Sequence, residues 1–150
     1  MEIITKNKKA YFNYEILEKF EAGISLIGQE VKSIKLGKIN LAGSYVVLRS
    51  EEVYLIGANV PPYQPKNAAK DYDSKRSRKL LLTKKEIKHL IGKTKQKGLT
   101  MIPLIIYTRK GKIKLQFGLA KGKRKIDKRE IIKKREVERE IRGNVGKEFR

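Results

Sequence analysis

Apolar residues along this chain fall mostly into short runs suited to strands, punctuated by glycine and proline. Residues 14–20 are apolar and β-prone, and Gly23 follows as a bend or bulge. Residues 24–27 resume the pattern and carry it to near Val31, after which residues 32–36 read as a short helical turn closed by Gly37. Residues 45–48 and 53–56 flank Arg49-Ser50-Glu51-Glu52 and predict a hairpin. Pro61, Pro62 and Pro65 predict an irregular excursion to about Lys79. Thr83-Lys84-Lys85-Glu86 fits a capping box, Ile87, Leu90 and Ile91 then share one helical face, and Gly98 suits the stop. Residues 99–108 and 112–119 predict two final strands joined by Arg109-Lys110-Gly111. About six strands with one late helix point to a mainly β fold, a small closed antiparallel barrel, because closure removes strand edges.

Beyond residue 119 the strand-like runs stop. Residues 119–150 carry 13 basic and 6 acidic side chains among isolated Ile and Val. A boundary near 119–121 therefore divides a barrel domain, residues 1–120, from a basic tail, residues 121–150. Asp127 and Glu130 repeat the capping-box spacing and Gly143 marks a stop. The helix so defined, residues 128–142, would extend about 22 Å. Glu130–Lys134 and Glu138–Arg142 support it, but Ile131, Ile132, Val137 and Ile141 make only a ragged stripe. An isolated helix of this length is marginal in water. The tail is expected to be disordered alone and helical on a polyanion.

Charge narrows the choice of partner. Lys and Arg number 37 against 16 Asp and Glu, a formal net charge of +21. Such an excess needs an acidic counterpart, nucleic acid first and a phospholipid surface second. No cysteine is present, which excludes thiolate metal sites and thiol catalysis, and a single histidine removes most metal sites and triads. The start lacks the apolar run of a signal peptide, and the longest apolar run, residues 101–107, is interrupted by Pro103. A bilayer span needs about 20 residues. A cytoplasmic protein with no membrane partner is expected.

Single motifs offer little catalysis. His89 lies off the apolar face of its helix and reads as a surface residue, and no nucleophile elbow accompanies it. Gly92-Lys93-Thr94 resembles the end of a P-loop, but Ile87 stands where the first glycine belongs and the segment is helical. Glu51, Glu52, Asp71 and Asp73 read as solvated carboxylates. Glu21 and Glu30, placed within or beside strands, could accept from RNA base edges or orient a neighbouring cation. The basic stretches say more. Residues 65–79 hold Lys66, Lys70, Lys75, Arg76, Arg78 and Lys79 around Tyr72, and residues 121–129 hold six basic side chains in nine. Both could be solvated faces, yet both add to an unbalanced domain, and on a barrel they suit stacking and phosphate contact.

The ordered motifs together resemble one family. They are Asn7-Lys8-Lys9-Ala10, Glu21-Ala22-Gly23-Ile24, Gly28-Gln29-Glu30-Val31-Lys32-Ser33, Asn40-Leu41 and Ser44-Tyr45. Arg78-Lys79-Leu80-Leu81-Leu82, Lys97-Gly98-Leu99-Thr100, Pro103-Leu104, Ala120-Lys121-Gly122-Lys123 and Asp127-Lys128-Arg129 continue the series. Their order and spacing over residues 7–142 resemble the SsrA-binding proteins (small protein B) of bacterial trans-translation. The resemblance implies an oligonucleotide-binding-like barrel that binds the tRNA-like domain of transfer-messenger RNA. The protein would deliver that RNA to stalled ribosomes, its tail replacing the missing codon–anticodon pairing in the small-subunit decoding centre and messenger channel. By position, Glu21, Leu81 and Lys114 match residues important for RNA binding, with Asn7 and Lys8 at the same face; Lys79 joins them from the basic stretch. Leu81 could equally be a buried strand residue. In the tail, Gly122, Lys123, Asp127, Lys128 and Arg129 match residues needed on the ribosome, supported by Lys121 and Arg124. Ile126 stands where the family often has His or Tyr, and residues 144–150 match no motif. The reading is of a monomeric, non-enzymatic adaptor with no catalytic residue, cofactor or metal. A generic ribosomal or single-strand RNA-binding barrel is the alternative, and a small nuclease or RNA-modifying enzyme a more distant one.

Overall fold

The structure is a computed structural model that describes residues 1–67 and 70–123. Its strands are β1 (Glu2–Lys6), β2 (Tyr14–Ile24), β3 (Tyr45–Arg49), β4 (Glu52–Ile56), β5 (Arg78–Leu81), β6 (Leu99–Arg109) and β7 (Lys112–Gly122). Its α-helices are α1 (Lys8–Asn13), α2 (Gly28–Lys35) and α3 (Lys84–Thr94), with a 3-10 turn at Pro65–Asn67. The sheet order is β1-β6-β3-β4-β5-β2-β7, and β7 pairs again with β6. Six strands thus close a barrel-like antiparallel ring, and β1 extends the sheet beside the second half of β6, from Glu2↔Thr108 to Lys6↔Ile105. The seam between β3 and β6 is one residue pair, Val46↔Met101.

Alternation along the long strands sorts their side chains. Phe117 and Leu115 are fully buried on β7, opposite Phe20 and Ala22 of β2. Leu55, Leu80 and Ile106 join them, and α2 and α3 add Ile34 and Leu90. Each fully buried side chain of this size contributes about 1.5–3 kcal/mol of transfer free energy. A second cluster lies elsewhere: Ala10 of α1 packs with Ile102, Leu104 and Ala120. Gly118 belongs to this contact, because a Cβ there would stand 2.8 Å from Ile16 Cγ2 and 3.2 Å from Leu104 Cδ1.

The hairpin, the late helix and the two last strands form where the sequence predicts them. Thr83 Oγ1 accepts from the Glu86 amide, and the Glu86 carboxylate accepts from the Thr83 amide, which closes the capping box. Only two residues, Ser50 and Glu51 at φ 47° and 66°, turn the β3–β4 hairpin; the left-handed pair matches strand twist. The α3 helix stops at Thr94, short of Gly98, whose φ of 83° serves the turn into β6.

Three departures have physical causes. The strand expected to reach Val31 ends at Ile24, and α2 begins at Gly28. Its N-cap is Ile27, which has no side-chain acceptor, so the usual start signal is missing; Glu30 instead accepts from the Ile27 amide at 2.9 Å. The lysine-rich start forms β1 and α1, elements no periodicity announced. Glu30 itself is helical and fully buried, not beside a strand. Arg78 Nε donates to its Oε2 at 2.7 Å, and Arg76 Nη2 donates to its Oε1 at 2.6 Å. Arg78, fully buried, also donates to the carbonyls of Ala58 and Ser74. Tyr72 donates its hydroxyl to the Val60 carbonyl at 2.7 Å. Arg76, Arg78 and Tyr72, expected to meet RNA, therefore knit the 61–77 excursion to α2 and fix the start of β5.

Candidate nucleic-acid interface

On the outer face, register rather than sequence proximity assembles the site. Leu81 of β5 pairs with Gly23, Gly23 with Lys114, Lys114 with Tyr107, and Tyr107 with Ile3. This row crosses five strands. A second row runs Glu21↔Gln116↔Ile105↔Lys6. Leu81 is 55% exposed, so it is a surface knob, not a core residue. An exposed aliphatic so placed beside cations is suited to the face of a base. A cleft of about 380 Å3 gathers Glu21, Gly23, Leu81, Thr83, Glu86 and Lys114. Three of the residues chosen from sequence, Glu21, Leu81 and Lys114, are thereby brought together.

Glu21 is held ionised in this cleft. Hydrogen bonding to the Tyr107 hydroxyl keeps its pKa below the usual carboxylate value; desolvation opposes that, and the charges of Arg109 and Lys114 reinforce it. Arg109 Nη1 donates to Glu21 Oε2 at 3.1 Å. Desolvation, with the same carboxylate second, pushes Tyr107 up to about 12, so its hydroxyl stays a donor. An anionic acceptor beside an apolar knob can take N–H groups of a base edge or a ribose hydroxyl. Lys114 can take phosphate.

The remaining candidates separate. Lys79 shares the outer side of β5 with Leu81 and lies 3.5 Å from Glu52. Lys8 lines a neighbouring hollow with Lys6, Lys19, Tyr11 and Ile105, adding positive charge along the same face. Asn7 does not join them. It is 8% exposed, and its amide donates to the Pro103 carbonyl at 2.9 Å, pinning the start of α1 to β6. His89 is a partly exposed neighbour of the Glu18 carboxylate, 2.8 Å away.

Of the tail candidates, Lys121 and Gly122 continue β7 opposite Glu15 and Tyr14, and Lys123 is tied to Asn13 and Tyr11 by its amide and ammonium. Arg124, Asp127, Lys128 and Arg129, with the expected helix 128–142, lie outside the described residues. Among the described residues no helix is long and apolar enough to cross a membrane. Tyr107, Arg109 and Gly23 are site residues that sequence reasoning left unassigned. The pairing of Tyr107 with Lys114 belongs to the β6–β7 hairpin, but the meeting of Tyr107 and Arg109 with Glu21 runs across β2, β7 and β6 and has no local signal. Gly23, read as a bend, could have been suspected from its place among apolar neighbours.

Known proteins resemble this chain in sequence and in fold. The family model described as SmpB protein matches residues 4–147. An SsrA-binding protein from Acaryochloris marina (strain MBIC 11017) is 49% identical over 140 residues, covering 93% of this chain and 91% of its own. Another from Carboxydothermus hydrogenoformans (strain ATCC BAA-161 / DSM 6008 / Z-2901) is 49% identical over 140 residues, 93% of each chain. A solved structure described as "tmRNA-SmpB: a journey to the center of the bacterial ribosome" superposes with a TM-score of 0.67 at 44% identity, over 85% of this chain and 93% of that one. Matched along nearly all of its length in sequence and across most of it in fold, the chain belongs to the SmpB protein family.

Proposed function

We propose that this chain is a non-enzymatic, cytoplasmic adaptor that binds the tRNA-like domain of transfer-messenger RNA and delivers it to stalled ribosomes. The observation that carries the reading is the outer-face cleft in which exposed Leu81, ionised Glu21 and Lys114 converge. Relatives named SsrA-binding protein, at 49% identity over 140 residues, support the same RNA. Leu81 offers an apolar contact to a base, Glu21 accepts from a base edge or a 2′-hydroxyl, and Lys8 and Lys114 neutralise phosphates, while Lys79 is paired with Glu52 beside them. Asn7 acts indirectly, by anchoring α1 against β6. Lys121, Gly122 and Lys123 lead the chain off the end of β7 toward Arg124, Asp127, Lys128 and Arg129, which contact the decoding centre and messenger channel.

Truncation separates the two tasks. Because β7 runs to Gly122 and the Lys123 amide is bonded to Asn13, the cut belongs after Lys123. The shortened chain is expected to bind a tRNA-like transcript within about threefold of full length and to lose tagging of stalled peptides in a reconstituted translation reaction. Parallel loss of both activities would contradict the division. A generic RNA-binding barrel would instead bind an unstructured strand of equal length as tightly as the tRNA-shaped one.

A further inference from the structure

Leu81 has hollows on both flanks, and only one contains Glu21. The other, also about 380 Å3, lies between α2 and the β6–β7 turn. It shares Gly23, Leu81 and Lys114 with the first cleft and adds Leu26, Val31, Lys35, Lys112 and Ile113. The two differ in chemistry. The Glu21 cleft carries two carboxylates and a hydroxyl, whereas the second hollow has an aliphatic lining, three lysines and no acidic side chain. Lys35 lies in the last turn of α2 and Lys112 opens β7 beside Gly111, both exposed at the rim. Gly23 gives Leu81 its room between the two hollows, since a Cβ there would come 3.3 Å from Leu81 Cβ.

We propose that this second hollow is a base-binding site for an unpaired RNA nucleotide, seated on Leu26, Val31 and Ile113 with its phosphates on Lys35 and Lys112. Leu81 is then a wedge between two consecutive unstacked bases, one in each hollow. The inference rests on the RNA-binding reading and assigns it a second nucleotide. Charge complementarity selects the occupant: an apolar wall rimmed only by cations fits a flat ring carried on a polyanionic backbone. The volume lies within the range of small-ligand pockets. Apolar wedges hold bases apart at kinked steps, and single-stranded loops are where RNA offers splayed bases.

The test uses the full-length chain and a tRNA-like transcript of transfer-messenger RNA carrying 2-aminopurine at one unpaired loop position at a time. Binding is expected to raise fluorescence at two adjacent positions. Leu81→Ala should remove at least half of that rise at both, and Leu81→Met should keep it. Lys35→Ala and Lys112→Ala should each weaken binding about five- to eightfold at 0.1 M salt and flatten the log–log salt dependence by about 0.7–0.9. Lys97→Ala, a lysine lining neither hollow, should leave both readouts unchanged. If Lys35→Ala and Lys112→Ala keep the wild-type slope and fluorescence while the wild type binds tightly, the second site is refuted and the RNA-binding reading stands. If the wild type shows no preference for this transcript over an unstructured strand, both fall together.

Discussion

Removing the charge of one buried side chain tests how the excursion between β4 and β5 is held. Burial alone would raise the pKa of Glu30, but hydrogen bonds from Arg76 and the Ile27 amide, with the charge of Arg78, more than offset it, and the net direction is down. Glu30→Gln leaves Arg78 fully buried without its counter-charge. Loss of one partner of such a pair costs about 3–5 kcal/mol, and urea denaturation at neutral pH should read a loss of that order. Because folding depresses the pKa, the wild-type contribution is complete above the ordinary carboxylate range. It fades as pH falls through that range to the lowered folded value. The stability difference between wild type and Glu30→Gln should accordingly narrow on acidification; a constant gap from pH 7 to pH 3 would show that the carboxylate's charge is immaterial. The sequence offered Glu30 two roles, RNA acceptor or orienter of a cation, and only burial distinguishes them. Arg76 and Arg78 look like RNA contacts in the sequence for the same reason. A run of cations looks like a surface until an acid 48 positions before Arg78 in the chain is seen to lie beneath it.

Among elements, the β2–β7 pairing does the most to place the site, since it sets Glu21 and Gly23 opposite Gln116 and Lys114. Its middle, at Lys19↔Gly118, has little room to spare. Gly118 sits where a Cβ would meet Ile16 Cγ2 at 2.8 Å and the Glu18 carbonyl oxygen at 3.3 Å. Overpacking of this kind costs about 1–3 kcal/mol. Gly118→Ala should lower the urea midpoint correspondingly with an unchanged slope, since the exposed area on unfolding is the same; an unchanged midpoint would mean that Ile16 and Leu104 yield freely. Most elements were legible because their signals are local. The Thr83–Glu86 box, the residues flanking Ser50-Glu51 and the long apolar runs of β6 and β7 announce themselves over four to eleven residues. The α2 helix was hidden by an N-cap isoleucine and a glycine at its first position, and β1 by its dependence on a distant partner, β6. Leu81 and Lys114 enter through resemblance and Glu21 through both its strand position and resemblance, whereas Tyr107 and Arg109 become site residues only through register.

At the scale of the molecule, charge decides where RNA is gripped and how salt governs it. Residues 1–123 carry 26 basic and 10 acidic side chains, and residues 124–150 carry 11 and 6, so the larger excess belongs to the barrel. Several barrel cations are already committed: Arg76 and Arg78 to Glu30, Arg109 to Glu21 and Lys79 to Glu52. Lys6, Lys8, Lys19, Lys35, Lys112 and Lys114 line the hollows of the outer face and its second flank. If each neutralises one phosphate, about six counterions are released, and log affinity should fall against log salt with a slope of roughly −4 to −5. Between 50 and 200 mM salt that is a loss of about 250–1,000-fold. The chain cut after Lys123 keeps all six lysines, so its slope should match that of the full chain within about one. A slope halved by the cut would place much of the phosphate contact beyond residue 123. A slope near zero in both would mean that hydrogen bonds and apolar contacts at Glu21 and Leu81, not surplus charge, hold the RNA.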